Sequence, residues 1–171
     1  MIESDLLSPL RLNVGFIIHQ SAGYSRVFSY DIQDISFAPD LELSNLSGIS
    51  RVTRTPQGLL VQVEMQAVVS LECVRCLTPF TQILNTNFTE LYAFSPKHVT
   101  DSNLLVPEDG QLNLSPLVRE YMLLEVPLSP LCKADCKGLC LVCGENFNEY
   151  IHHHQDEPDD PRLVELKKLL E

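Results

Sequence analysis

Apolar and polar residues alternate with period two from Leu59 to Cys73. Val61, Val63, Met65, Ala67, Val69, Leu71 and Cys73 fall on one face. Gln62, Glu64, Gln66, Ser70 and Glu72 fall on the other, with Val68 as the exception. That pattern predicts a long, half-buried antiparallel strand. Before it, Thr55-Pro56-Gln57-Gly58 has the proline and glycine of a tight turn, so Ile49 to Thr55 is the expected partner strand. After Cys76, Leu84, Phe88, Tyr92 and Phe94 share one face at strand spacing between Phe80 and Phe94. Cys73-Val-Arg-Cys76 then lies at the tip joining two strands. Leu10–His19 and Tyr24–Ile32, on either side of Gly23, are shorter strand candidates.

The pattern changes after the strands. Residues 95–110 carry Pro, Asp, Asn and Gly without periodicity and read as a loop. Ser115 as N-cap and Pro116 in the first turn predict a helix to about Val126, with Leu117, Val118, Tyr121, Met122 and Leu124 as its apolar side. Pro127 and Pro130 end it. An acidic stretch at residues 155–160 is followed by a short amphipathic helix, capped by Asp160, begun at Pro161 and striped by Leu163, Leu166 and Leu170. Strands first and helices later indicate an α+β fold: a mainly antiparallel β-sheet or partly open barrel with a packed helix. The cysteines and histidines that follow Leu131 make the C-terminal part a candidate zinc-binding segment. Residues 1–130 are the expected sheet-plus-helix domain. Residues 131–171 are the cysteine/histidine-rich segment and closing helix.

Composition narrows the function classes. At 44% apolar and 20% charged residues the chain is ordinary for a globular protein. No apolar run approaches the ~20 residues of a bilayer span, and Met1-Ile-Glu-Ser-Asp-Leu lacks the basic start of a secretory signal. A cytoplasmic location with no membrane role is expected. The formal charge of −11 disfavours direct binding of RNA, which needs clustered Lys and Arg, and favours a basic partner.

Six cysteines in a reducing compartment persist as thiols or bind metal. They fall in pairs: Cys73 and Cys76, Cys132 and Cys136, Cys140 and Cys143. In the first and last pairs two residues between the cysteines let both sulfurs turn toward one point, while Cys132 and Cys136 form a looser pair. Zinc accepts four such ligands tetrahedrally. Gly144 directly after Cys143, and Gly138 between the last two pairs, suit the tight turns this needs. A redox C-x-x-C should open a helix after a strand, whereas Cys73 and Cys76 sit between two strand patterns. His152-His153-His154 is either a solvated polar stretch or a ligand source; in an extended segment His152 and His154 would face the same way.

Leu71-Glu-Cys-Val-Arg-Cys-Leu-Thr-Pro-Phe80, followed by Leu114 to Pro127 and by Leu131-Cys-Lys-Ala-Asp-Cys-Lys-Gly-Leu-Cys-Leu-Val-Cys-Gly-Glu-Asn-Phe-Asn148, resembles the YceD family of large-subunit ribosomal RNA accumulation proteins. The likeness runs from about Arg51 to Leu170 and is weak over the first fifty residues. Family members often carry Cys-x-Cys after the Asn-x-Asn segment, where this chain has His152 and His154. Some members lack the segment after the second pair yet keep the first. The resemblance therefore implies two structural zinc sites, Cys73, Cys76, Cys132 and Cys136 in one, and Cys140, Cys143, His152 and His154 in the other. A single local site of Cys132, Cys136, Cys140 and Cys143 is the competing arrangement.

The function implied is a non-enzymatic role in ribosomal RNA accumulation and ribosome assembly. The family's gene commonly neighbours that of a small zinc-ribbon ribosomal protein, which points to a ribosomal protein or pre-ribosomal particle as partner. With both sites filled the formal charge becomes about −13, which strengthens the case for a basic partner. The rivals are a zinc-ribbon transcription adaptor, a thiol oxidoreductase and an rRNA-modifying enzyme. No phosphate loop, nucleophile–base pairing or dinucleotide fingerprint accompanies the cysteines.

Overall fold

A computed structural model describes residues 9–39 and 41–150. His152, His154, the acidic stretch and the expected C-terminal helix lie outside the described residues. The body is an antiparallel meander of four long strands: β2 (Ser25–Phe37), β3 (Leu41–Arg54), β4 (Gly58–Glu72) and β5 (Pro79–Ala93), paired in the order β2-β3-β4-β5. The strand expected from the Leu59–Cys73 alternation is β4, and its register with β5 is unbroken from Gly58↔Ala93 to Glu72↔Pro79. The turn before it closes through Thr55, whose N–H and hydroxyl both donate to the Gly58 carbonyl at 2.8 and 2.9 Å. The four-stranded sheet stays open, with β2 and β5 as its two edges.

One face of the sheet is buried. Val61, Val63, Met65, Ala67 and Val69 of β4 meet Leu84 and Phe88 of β5 and Leu46 and Val52 of β3. Tyr30 and Ser50, both buried there, share a 2.8 Å hydrogen bond that satisfies their hydroxyls inside the apolar layer. The cover is made by short elements and one longer helix. β1 (Arg11–Asn13) pairs with β6 (Gln111–Asn113) as a separate two-stranded sheet, and α1 (Gly15–Ile18) follows β1 directly. The helix α2 (Ser115–Glu125) lies against β5, burying Val118 and Met122 completely and stacking Tyr121 on Phe88 with ring centroids 4.2 Å apart. Each fully buried side chain of that size contributes about 1.5–3 kcal/mol relative to exposure.

Three expectations are corrected. Leu10–His19 is not one strand: after three strand residues the Asn13 carboxamide accepts the Gly15 N–H at 3.1 Å, and the Ile17 and Ile18 N–H groups turn back to the Val14 carbonyl. That local turn competes with extended backbone and wins. Ser115 is not the N-cap of α2. Leu114 occupies that position, and the Asn113 side chain accepts the Ser115 N–H at 3.0 Å from one residue further out. The strands preceding β4 are also longer than their patterns indicate, because β3 carries an irregularity between Ser44 and Ser47 that shifts its alternation.

Candidate metal centre

The β4–β5 hairpin ends at Glu72 and restarts at Pro79, leaving Cys73 and Cys76 in the connecting turn. The Leu77 N–H donates to the Cys73 carbonyl at 2.9 Å and the Cys73 N–H to the Thr78 carbonyl at 3.1 Å. Leu77 takes φ 57° to close this knuckle, a left-handed conformation more usual for glycine. Cys132 and Cys136 come from the segment after α2, which is held to the tip by Val74 N–H donating to the Pro130 carbonyl at 3.0 Å. Arg75 adds two further ties. Its guanidinium donates to the Cys136 carbonyl at 3.0 Å, and its own carbonyl accepts the Leu139 N–H at 3.2 Å. Gly138 turns the chain beside it at φ 79°, where a Cβ would press on the Arg75 carbonyl at 3.2 Å.

These ties bring four sulfurs together. The Sγ atoms of Cys73 and Cys136 are 3.7 Å apart, those of Cys76 and Cys132 are 3.6 Å apart, and all four lie within 4.8 Å of one another. Those separations are far beyond a disulfide bond, and none of the six cysteines forms one. A zinc–thiolate bond of ~2.3 Å gives a tetrahedron whose edges are about 3.8 Å, so the four sulfurs could hold such an ion. Cys73, Cys76 and Cys136 are buried and Cys132 is half-buried.

Hydrogen bonds and burial set Cys73, Cys76 and Cys132 apart. Burial pushes Cys73 up, but backbone hydrogen bonds from Cys132, Cys76 and Arg75, together with the Cys76 side chain, bring it down to about 6. The side chain and backbone of Thr78 draw Cys76 down. Burial and the neighbouring sulfurs of Cys76, Cys136 and Cys73 push Cys132 up to about 12. Thiols packed this closely cannot all carry charge without a cation among them.

Cys140 and Cys143 form a second knuckle with the same backbone pattern. The Cys140 N–H donates to the Glu145 carbonyl at 2.7 Å, the Gly144 N–H donates to the Cys140 carbonyl at 2.9 Å, and Gly144 takes φ 77° in the place Leu77 takes in the first. The Val142 N–H also reaches the Cys140 sulfur at 3.4 Å. Cys140 is buried and Cys143 exposed. The described structure thus gathers Cys73, Cys76, Cys132 and Cys136, and builds Cys140 and Cys143 into a separate turn. Sequence reasoning overlooked Asn146 and Asn148. The Asn148 amide nitrogen lies 3.3 Å from the Cys136 sulfur, and the Asn146 amide nitrogen donates to the Thr78 hydroxyl at 3.2 Å. Their sequence signal is the Asn-x-Asn segment just after the second knuckle, which carries the family likeness without assigning either asparagine a role.

An open antiparallel sheet capped at one hairpin tip by four convergent thiols defines a β-rich domain with a cysteine cluster that could hold a metal ion. The chain belongs to the family described as large ribosomal RNA subunit accumulation protein YceD, whose sequence profile matches residues 61–170. An uncharacterized protein of Mycobacterium tuberculosis is 35% identical over 126 residues, covering 70% of this chain and 59% of its own length. A Zea mays protein named large ribosomal RNA subunit accumulation protein YCED homolog 1, chloroplastic, is 27% identical over 128 residues, covering 57% of this chain and 44% of its own. The Bacillus subtilis protein YlbN is 28% identical over 102 residues, covering 58% and 59%. The match spans a little under three-fifths of the length of the mycobacterial relatives. No solved structure matches the chain. Among the described residues no helix is long and apolar enough to cross a membrane.

Proposed function

We propose that this protein is a non-enzymatic factor that supports accumulation of large-subunit ribosomal RNA in the cytoplasm, acting by binding a basic ribosomal protein. Its scaffold is stapled by zinc at Cys73, Cys76, Cys132 and Cys136. The observation that carries this reading is the four-sulfur cluster, which lies wholly within the residues matched by the family. Zinc bound by four thiolates has no open position for substrate, so its role there is structural. Cys140 and Cys143 supply half of a second zinc site in this reading, completed by His152 and His154.

The charge distribution supports a basic partner. Asp31, Asp34, Glu42, Glu64 and Glu72 are exposed along the sheet, against the exposed cations Arg26 and Arg51 on its strands. A surface of this sign raises the encounter rate with a basic protein and opposes the approach of a phosphate backbone. Affinity capture from cell extract, with and without ribonuclease, tests the proposal. Capture of a basic large-subunit ribosomal protein should survive ribonuclease and decline steeply between about 0.1 and about 0.5 M salt, as exposed charges are screened. Recovery that depends wholly on intact RNA would refute protein-mediated binding.

A further inference from the structure

The two ligand pairs of the cysteine cluster are built differently. Cys73 and Cys76 sit in a knuckle closed by the Cys73 N–H on the Thr78 carbonyl and the Leu77 N–H on the Cys73 carbonyl. The Cys73 sulfur receives backbone hydrogen bonds from Cys132 across the cluster and from Cys76 and Arg75 in the knuckle. The Cys132–Cys136 turn is closed instead by the Cys136 N–H donating to the Lys133 carbonyl at 3.1 Å. The Cys136 sulfur receives its donor from twelve residues further along: the Asn148 side-chain amide, at 3.3 Å.

The orientation of that amide follows from its partners. Asn148 Oδ1 accepts the Lys137 N–H at 3.0 Å, so the other end of the carboxamide must be the donor, and it is the end facing sulfur. Asn146 holds the group from the other side. Its Oδ1 accepts both the Asn148 backbone N–H at 3.0 Å and the Asn148 amide at 2.7 Å. Asn146 is tied in turn to the Thr78 hydroxyl of the first knuckle, and Thr78 reaches the Cys76 carbonyl at 3.4 Å. The two asparagines therefore span both ligand pairs, and Asn148 has no freedom to turn its amide away.

We propose that Asn148 is a positioning residue of the metal centre, its amide N–H orienting the Cys136 sulfur and offsetting the negative charge that four thiolates place around a divalent ion. This rests on the reading of Cys73, Cys76, Cys132 and Cys136 as a metal site. Four thiolates leave a zinc centre at a formal −2, and a hydrogen bond to one of them reduces both its basicity and its exposure to electrophiles. Outer partners of metal ligands commonly govern affinity by 10–100-fold. The second knuckle gains a role as well: Lys137 to Asn148 forms a ribbon, joined by the Leu139–Asn146 bridge and the Phe147 N–H to Gly138 carbonyl bond, that carries the amide to the sulfur.

The test uses zinc-loaded full-length protein and the variants Asn148→Asp and Asn148→Ala. Aspartate keeps an oxygen for the Lys137 N–H and removes the donor to sulfur and to Asn146 Oδ1, whereas alanine removes all three contacts. Two readouts are followed, transfer of zinc to an excess of a chromogenic chelator and mass-spectrometric mapping of alkylation by iodoacetamide. Both variants should release zinc roughly tenfold or more faster than the parent. Cys136 should become the first of the four cluster thiols to be alkylated, with far-ultraviolet circular dichroism unchanged. An Asn148→Asp protein that matches the parent in both readouts overturns the proposal, even where Asn148→Ala is impaired, because the role would then be confined to the Lys137 contact. A parent protein that takes up no zinc overturns the metal reading itself and this proposal with it.

Discussion

Replacing Cys73 by serine, beside the same change at Cys143, measures what the cysteine cluster contributes to folding. The paired sulfurs of Cys76 and Cys132 are 56 residues apart in sequence, and those of Cys73 and Cys136 are 63 apart. Cys143 and His152 would close a loop of about nine residues. At ~0.6 kcal/mol for each doubling of loop length, the wider closure removes roughly 1.5 kcal/mol more of unfolded-state entropy. Cys73 is fully buried and Cys143 exposed, so a serine hydroxyl at 73 adds a desolvation cost of about 1–3 kcal/mol that a hydroxyl at 143 escapes. Cys73→Ser should therefore be about 3 kcal/mol less stable than Cys143→Ser. For a chain of this size that is a difference of roughly 10 °C in Tm. The assay is urea unfolding followed by circular dichroism with free zinc buffered at one value, since metal binding free energy is folding free energy. Equal losses in the two variants would refute the assignment of the long-range staple to Cys73.

Elemental analysis of protein purified without chelator should find two zinc ions per chain, falling to one on joint replacement of His152 and His154 by alanine; retention of both ions rules the histidines out as ligands. Gly58→Ala should cost about 2 kcal/mol in a chemical unfolding curve, because a Cβ there collides with the Tyr92 carbonyl across the β4–β5 ladder. An unchanged midpoint would contradict that packing. Burial, and then the Glu90 charge, push Tyr92 up to about 12. Because the folded value is raised, the stabilisation is complete below the unfolded value of about 10 and is lost as the pH rises from there toward 12. Thermal melts across that window should fall as tyrosinate absorbance grows, and flat melts would show that the Tyr92 phenol ionises equally in folded and unfolded chains.

The strands legible from the sequence are those whose alternation is uninterrupted. Between Leu59 and Cys73 the inward positions stay in step, buried from Leu59 to Val69 with Leu71 half-buried against the core, so β4 could be read almost to its ends. In β3, Leu41 and Leu43 are buried at odd positions and Leu46 and Val52 at even ones, because Asn45 at φ 51° and the irregularity around it change the parity. The partner β2 makes the matching change, packing Tyr30 and Ile32 and then Ile35 and Phe37 against the core. A period-two search breaks at that point in both strands, which is why only their ends nearest Gly23 and Gly58 were expected. The cysteine pairs were visible as pairs, but spacing alone left open which pair joins which. That choice depends on where α2 returns the chain, and it came from the family resemblance. Asn148 left no trace in periodicity or metal-ligand spacing, because a donor to sulfur needs no set distance in sequence from the ligand it serves.

The meander has a consequence for the order in which the chain can fold as it is made. Each long strand pairs with its immediate predecessor, so the whole sheet can assemble once residue 93 exists, by local steps that are intrinsically fast. Two closures must wait. Arg11–Asn13 has no ladder partner until Gln111–Asn113 is made, and the hairpin tip carries Cys73 and Cys76 well before Cys132 and Cys136 arrive. A nascent chain therefore passes through a stage in which a formed sheet presents an uncovered apolar face and two accessible thiols. Helix α2 and the second cysteine pair, arriving in that order, end this stage and complete the four-sulfur cluster that could hold a metal ion.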